Sequence, residues 1–134
     1  MSTIFSKIVS GEIPAYKVAE SVDFLAFLDI SPLAEGHVLV IPKQEVDYIF
    51  DLEDAAYTEL MLFAKIVATA MKRVIPCIKI GVAVIGLEVP HAHIHLIPMS
   101  KVDDMNFSKP KLSFTPEQLE ATAEKIKEAL RIEE

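Results

Sequence analysis

The run HAHIHLIP, residues 91–98, constrains the fold of this 134-residue chain more than any other stretch. Its histidines alternate with Ala92, Ile94 and Leu96, and a period of two is what an extended strand turns into two different faces, one of imidazoles and one of apolar groups. A rise of ~3.3 Å per residue puts neighbouring histidines ~7 Å apart and the outer two ~13 Å apart. The apolar face must meet a core. The imidazole face must meet something that several rings satisfy together.

Three readings of His91, His93 and His95 follow. The rings can be held by backbone or carboxylate partners, as buried polar groups usually are. A pair of them can bind a metal with further ligands drawn from His37, Glu88 and the third histidine of the row. They can also form an anion site, where one imidazole attacks phosphorus while others donate to its oxygens or to the leaving group. A phosphoryl group offers several oxygens, which suits several aligned donors. The run GHVLVIPK (36–43) parallels AHIHLIPM (92–99), each ending in Ile-Pro. Adjacent in one sheet, the two would bring His37 to the other three.

The remaining pattern predicts a single domain over 1–134, since domains commonly run about 100–150 residues. YKVAE and DFLAFLDI read as short strands with a turn near Ser21, and HVLVI (37–41) as a buried strand between Gly36 and Pro42. From Asp51, a candidate N-cap, to Val74 the period becomes helical, with Pro76 closing the far end. Leu60, Phe63, Val67 and Val74 form one stripe, and Tyr57, Met61, Ala64, Ala68 and Met71 a second. Two stripes predict two burial surfaces, a core and a partner subunit, because a small domain rarely surrounds a helix.

IKIGVAVIGLEV (78–89) reads as a fully buried strand, with the histidine strand following Pro90. Residues 99–114, with Lys101, Lys109 and Lys111 and no period, read as a surface loop. Thr115-Pro116-Glu117-Gln118 is a capping box with proline at the first helical position, and Leu119, Ala123, Ile126 and Leu130 stripe the helix it opens. The order predicts an α+β fold with a mostly antiparallel sheet, one long helix after the first strands and a C-terminal helix.

A net charge of −7 argues against nucleic acid and against an anionic membrane, both of which favour a basic face. The one cysteine, Cys77, excludes an internal disulfide and fits a cytoplasmic protein. MSTIFSKIVSGEIP lacks the unbroken apolar stretch of a signal peptide, and no window approaches ~20 apolar residues.

HAHIHLI, together with TIFSKIVSGEIPA (3–15) and FLAFLDISPLAEGHVLVIPK (24–43), resembles the histidine triad (HIT) family of nucleotide hydrolases and transferases, closest to its nucleotide-binding protein branch. The blocks come in the family's order and cover most of the chain to about residue 98. The resemblance implies a HIT-like α+β fold, a homodimer built around the long helix, a purine nucleotide as the small-molecule partner, and no cofactor. It implies that His93 attacks the α-phosphorus of a purine nucleoside phosphoramidate or phosphoanhydride and carries a nucleotidyl intermediate. His91 would orient His93 through its main chain, and His37 and His95 would contact the phosphate or tune the nucleophile. Asp29 falls where the family accepts ribose hydroxyls, a task suited to two carboxylate oxygens, although an Asp before Ser31-Pro32 is also a turn former. Phe5, Ile8, Ile13, Phe27 and Ile30 match the positions that sandwich the base.

The chain also departs from the family. Relatives carry an Asn-containing loop and a Gln that supply amides to phosphate, whereas AVIGLEVPH lacks the loop and has Leu87 at the Gln position. Loss of one such donor can cost ~10²–10³ in rate. The rival expectation is therefore a non-catalytic nucleotide-binding or scaffold protein. Glu88 is expected to face a histidine or solvent. Thr3 and Ser6 occupy the places of a zinc-binding Cys-x-x-Cys in some relatives, so no structural zinc is expected.

Overall fold

Alternation in three central strands builds one sheet with two different covers. The computed structural model describes residues 2–133. In chain order these form α1 (Ile4–Ser10), β1 (Lys17–Glu20), β2 (Phe24–Leu28), β3 (Val38–Pro42), α2 (Asp54–Val74), β4 (Lys79–Ala83), β5 (Ile94–Met99) and α3 (Pro116–Glu133), with short 3-10 turns at Ile49–Asp51 and Val102–Met105. The strands pair antiparallel in the order β1-β2-β3-β5-β4.

On one face Phe24, Ala26, Leu28, Val38, Val40, Ile94 and Leu96 pack with Leu60, Val67 and Met71 of α2 and Ala123 and Ile126 of α3. On the other face the alternate residues Leu25, Phe27, Leu39 and Ile41 pack with Phe5 and Ile8 of α1. Every residue of β2 and β3 is therefore buried. Covering both faces removes the apolar area whose burial drives folding, at roughly 25 cal/mol per Å².

The register Val38↔Leu96, Leu39↔His95 and Val40↔Ile94 sets the two Ile-Pro strands side by side. Gly36, at φ +87°, turns the chain into β3 under Ile75. A side chain at Gly36 would be strained by that φ and would crowd the Ile75 side chain at 3.0 Å.

Five expectations need correction. Residues 4–10 form a helix that was not foreseen, capped by the Thr3 hydroxyl, which accepts the Ser6 amide at 3.0 Å, and ended by Gly11 at φ 87°. Asp51 is not the N-cap of the long helix: it lies in a 3-10 turn, and α2 starts at Asp54 after Glu53. Both stripes of α2 enter the same core, because α3 and the sheet flank the helix together. Tyr57, Met61, Phe63, Ala68 and Val74, themselves half-buried, pack against the buried Leu60, Ala64, Val67 and Met71, and the large apolar residues of α2 left outside are Leu62 and Ile66. The run 78–89 is not a fully buried strand. Only Lys79–Ala83 pairs, as an edge strand, and Ile78, Val82, Val84 and Ile85 are exposed. Finally, the strand expected after Pro90 begins at Ile94, so only His95 of the triad lies within it.

The Thr115 capping box forms as expected. The Thr115 amide donates to Gln118 Oε1 at 2.8 Å, and the Gln118 amide donates to Thr115 Oγ1 at 3.1 Å. The turn near Ser21 is present too, with the Ser21 amide donating to the Phe24 carbonyl at 2.9 Å.

Candidate active site

All four histidines gather on the α1 side of the sheet, and each is at most 8% exposed. Backbone groups that only donate or only accept fix which nitrogen of each ring holds its proton. The Leu33 amide donates to His37 Nδ1 at 3.0 Å, so the neutral His37 ring carries its hydrogen on Nε2. That nitrogen lies 3.0 Å from His95 Nδ1, which must then accept, leaving the His95 proton on Nε2. On the other arm, His93 Nδ1 lies 2.7 Å from the His91 carbonyl and donates to it, so the lone pair of His93 is on Nε2. His91 Nε2 donates to the Pro42 carbonyl at 2.8 Å, and its Nδ1 accepts from the Thr3 hydroxyl at 2.9 Å.

Burial keeps His37, His91 and His95 neutral. It pushes His37 down to about 3, helped by His95 and Lys111, and His95 down to about 4, helped by His93. It also lowers His91, against the opposing pull of the Pro42 carbonyl. Asp29 Oδ2 lies 3.7 Å from His37 Nε2, but a neutral ring makes this no ion pair. Burial raises the Asp29 carboxyl, and the Ser31 amide, donating to Oδ1 at 2.8 Å, opposes the rise. The turn-forming role of Asp29 is thus present, with Oδ2 left over.

Among the described residues every fully buried side-chain nitrogen or oxygen has a hydrogen-bond partner. Among the described residues His93 Nε2 and His95 Nε2 have no hydrogen-bond partner, so both reach accessible space. They line a cavity of about 440 Å³ with Phe5, Asp29, Leu39, Glu88, Phe107 and Lys111 among its walls. The site thus presents one free lone pair and one free N–H, on rings whose centroids are 5.0 Å apart. A larger groove of about 510 Å³, between β1 and the helices, contains no histidine.

One ring nitrogen each of His37 and His95 and an Asp29 carboxylate oxygen lie within 4.8 Å of one another, the spacing of a metal site. Glu88, a candidate further ligand in the metal reading of the sequence, is not in this group. The Leu33 amide holds the Nδ1 lone pair of His37, so its Nε2 bears a proton where a metal would need an electron pair. The group is therefore poorly suited to hold a metal.

The other expected residues separate. Phe5 lines the cavity and meets the His93 ring edge-on at 5.0 Å. Phe27 stands behind Phe5 at 5.5 Å, Ile8 is in the same buried layer, and Ile13 flanks it. Ile30 is 66% exposed beside Asp29 and outside the lining. Glu88 is an exposed wall residue, and Leu87 is 88% exposed at the same rim. Sequence reasoning missed Thr3 as a partner of His91, Leu33 as the group that sets the His37 tautomer, and Phe107 and Lys111 as walls. Lys111 had one available signal, a lysine in a loop that leaves β5 at the site.

The HIT domain matches residues 10–102 of this chain. The chain belongs to the HIT family. Adenosine 5'-monophosphoramidase hnt1 of Schizosaccharomyces pombe is 33% identical to this HIT protein over 98% of the chain and 100% of the relative. Adenosine 5'-monophosphoramidase HNT1 of Saccharomyces cerevisiae is 43% identical over 71% of the chain and 61% of its own length. In three dimensions, a Hit-like protein from Bartonella henselae superposes with a TM-score of 0.83 at 31% identity, covering 96% of each chain. The α+β architecture of this HIT protein is that of its structural neighbours.

Proposed function

We propose that this protein hydrolyses a purine nucleoside phosphoramidate through a nucleotidyl-His93 intermediate. The observation that carries the reading is the pairing of a free lone pair on His93 Nε2 with a free N–H on His95 Nε2 in one cavity. His93 Nε2 attacks the α-phosphorus while His95 Nε2–H donates to a non-bridging oxygen. The P–N bond breaks, and the amine leaves with the electron pair and is protonated by solvent. The ring becomes imidazolium-like as it is nucleotidylated, and the His91 carbonyl on Nδ1–H stabilises that charge. Water then displaces the histidine and releases the nucleoside monophosphate. His37 acts through His95 by fixing its tautomer.

The same reading gives Asp29 Oδ2 the ribose hydroxyls. It sets the base against Phe5, with Ile8, Phe27, Ile13 and Ile30 as supporting apolar groups. The names of the two yeast relatives support the phosphoramidate over the phosphoanhydride. Adenosine 5'-phosphoramidate should release AMP with the wild type, while His93→Ala should lose at least ~10³ of the rate, as nucleophile removal does elsewhere. Equal rates in the two proteins would refute the reading.

Leu87 at the rim favours one rival, a protein that binds nucleotide without turnover. AMP binding with no His93-dependent hydrolysis would select it.

We also infer a homodimer through the free edge of β4, where Ile78, Val82 and Val84 are exposed beside unpaired backbone. Sedimentation that gives a monomer at micromolar concentration would refute this. No described helix is long and apolar enough to cross a membrane. The free Cys77 fits a reducing, cytoplasmic setting.

A further inference from the structure

The walls of the cavity hold an uneven set of charges. Asp29 and Glu88 bring two carboxylates, and Lys111 is the one lysine or arginine lining it among the described residues. His37, His91 and His95 do little to balance the carboxylates, because burial holds them neutral. Yet the reaction proposed above puts an anionic phosphoryl group among these walls, where reduced solvent makes an unbalanced charge costly.

Lys111 is held near the triad by contacts that its loop sequence does not advertise. The Leu112 amide donates to the Pro32 carbonyl at 2.8 Å, which pins the segment to the turn carrying Asp29 and Ser31. Phe107 packs edge-on against the His95 ring with centroids 4.9 Å apart. The Lys111 ammonium reaches back over this phenyl ring, 5.6 Å from its centroid, and donates to the Phe107 carbonyl at 2.7 Å. An ammonium has three N–H groups. One is used here, and two remain for a ligand.

We propose that Lys111 is the phosphate-binding cation of this site, supplying from the loop after β5 the charge and donors that Leu87 does not supply from the rim. The inference rests on the phosphoryl-transfer reading above and assigns a residue to it. The lysine acts as a point charge, so its effect follows the charge of the ligand rather than the shape of the nucleoside.

The test is calorimetric titration of AMP and of uncharged adenosine into the wild type, Lys111→Met and Lys111→Arg, alongside hydrolysis of adenosine 5'-phosphoramidate. Lys111→Met should weaken AMP by about 10- to 100-fold, the range of a charged hydrogen bond. Adenosine affinity should stay unchanged, and Lys111→Arg should keep most of the AMP affinity. Raising salt should weaken AMP binding by the wild type more than by Lys111→Met.

Lys111→Met binding AMP as tightly as the wild type would overturn the inference while His93-dependent hydrolysis still upheld the proposed function. Equal loss of AMP and adenosine would overturn it also, since that is the mark of a structural role. A wild type that neither binds AMP nor hydrolyses the phosphoramidate would bring down the proposed function and this assignment with it.

Discussion

The Leu33 amide points at His37 Nδ1 from 3.0 Å, and this contact sets the polarity of the next bond, from His37 Nε2–H to His95 Nδ1. A backbone N–H cannot reverse its role, so the arrangement of protons at the site follows from the fold. Nitrogen-15 correlation spectra at neutral pH should show His37 and His95 as Nε2–H tautomers and His93 as the Nδ1–H tautomer. A protonated Nδ1 on His37 would contradict the Leu33 contact.

The depressed histidines carry a pH signature. His37 at about 3 and His95 at about 4 lie below the ordinary value of 6.5, so the folded protein binds fewer protons than the unfolded chain between those limits. Their contribution to stability is complete above pH 6.5 and is lost as pH falls toward 4 and then 3. Stability should fall as pH drops below 6.5, because the unfolded chain takes up protons that the folded rings do not. Urea midpoints measured from pH 8 to pH 4.5 should fall, and the fall should be shallower in His95→Gln. Flat midpoints across pH 6.5 to 4.5 would contradict the burial of neutral rings.

Thr3 joins the start of α1 to the triad. Its hydroxyl accepts the Ser6 amide and donates to His91 Nδ1, while its own amide donates to Glu45 Oε1 at 2.9 Å. Thr3→Val removes a helix cap and strands a buried imidazole nitrogen, which should cost about 2 kcal/mol in stability. It should lower kcat more than it changes KM, because His91 holds His93 and does not line the cavity. Thr3→Ser should restore both. If chemical denaturation and kinetics of Thr3→Val match the wild type, the hydroxyl does not hold His91.

Much of the fold could be read from apolar runs and turn signals. Phe24–Leu28 and Val38–Pro42 are unbroken apolar runs, the mark of strands covered on both faces, and the Thr115 box announces α3. Helix α1 could not be read, since seven residues give too few turns to show a period and its cap, Thr3, looks like any polar residue. The edge position of β4 was hidden because an apolar run looks the same beside a core as beside a partner. At the site, the alternating histidines and His37 were visible in the sequence. The groups that assign their protons were not, because they are the backbone amide of Leu33 and the carbonyls of Pro42 and His91, which no side chain marks. The inward reach of Lys111 depends on a loop with no period.

Leu87 leaves the rim without a donor, and at 88% exposure it can be exchanged at little cost to the fold. Leu87→Gln should raise kcat by ~10-fold or more, within the ~10²–10³ associated with one donor to a developing oxyanion, with stability within about 0.5 kcal/mol of wild type. Unchanged turnover with a well-folded variant would show that the rim does not contact the phosphoryl group.

Intact-mass spectrometry on protein quenched during turnover of a slowly hydrolysed adenylated substrate tests the role of His93 most directly. The wild type should gain the mass of one adenylyl group, mapped by peptide fragmentation to His93 and absent from His93→Ala. Rapid turnover with no adduct at any quench time, or an adduct that persists in His93→Ala, would contradict attack by His93 Nε2.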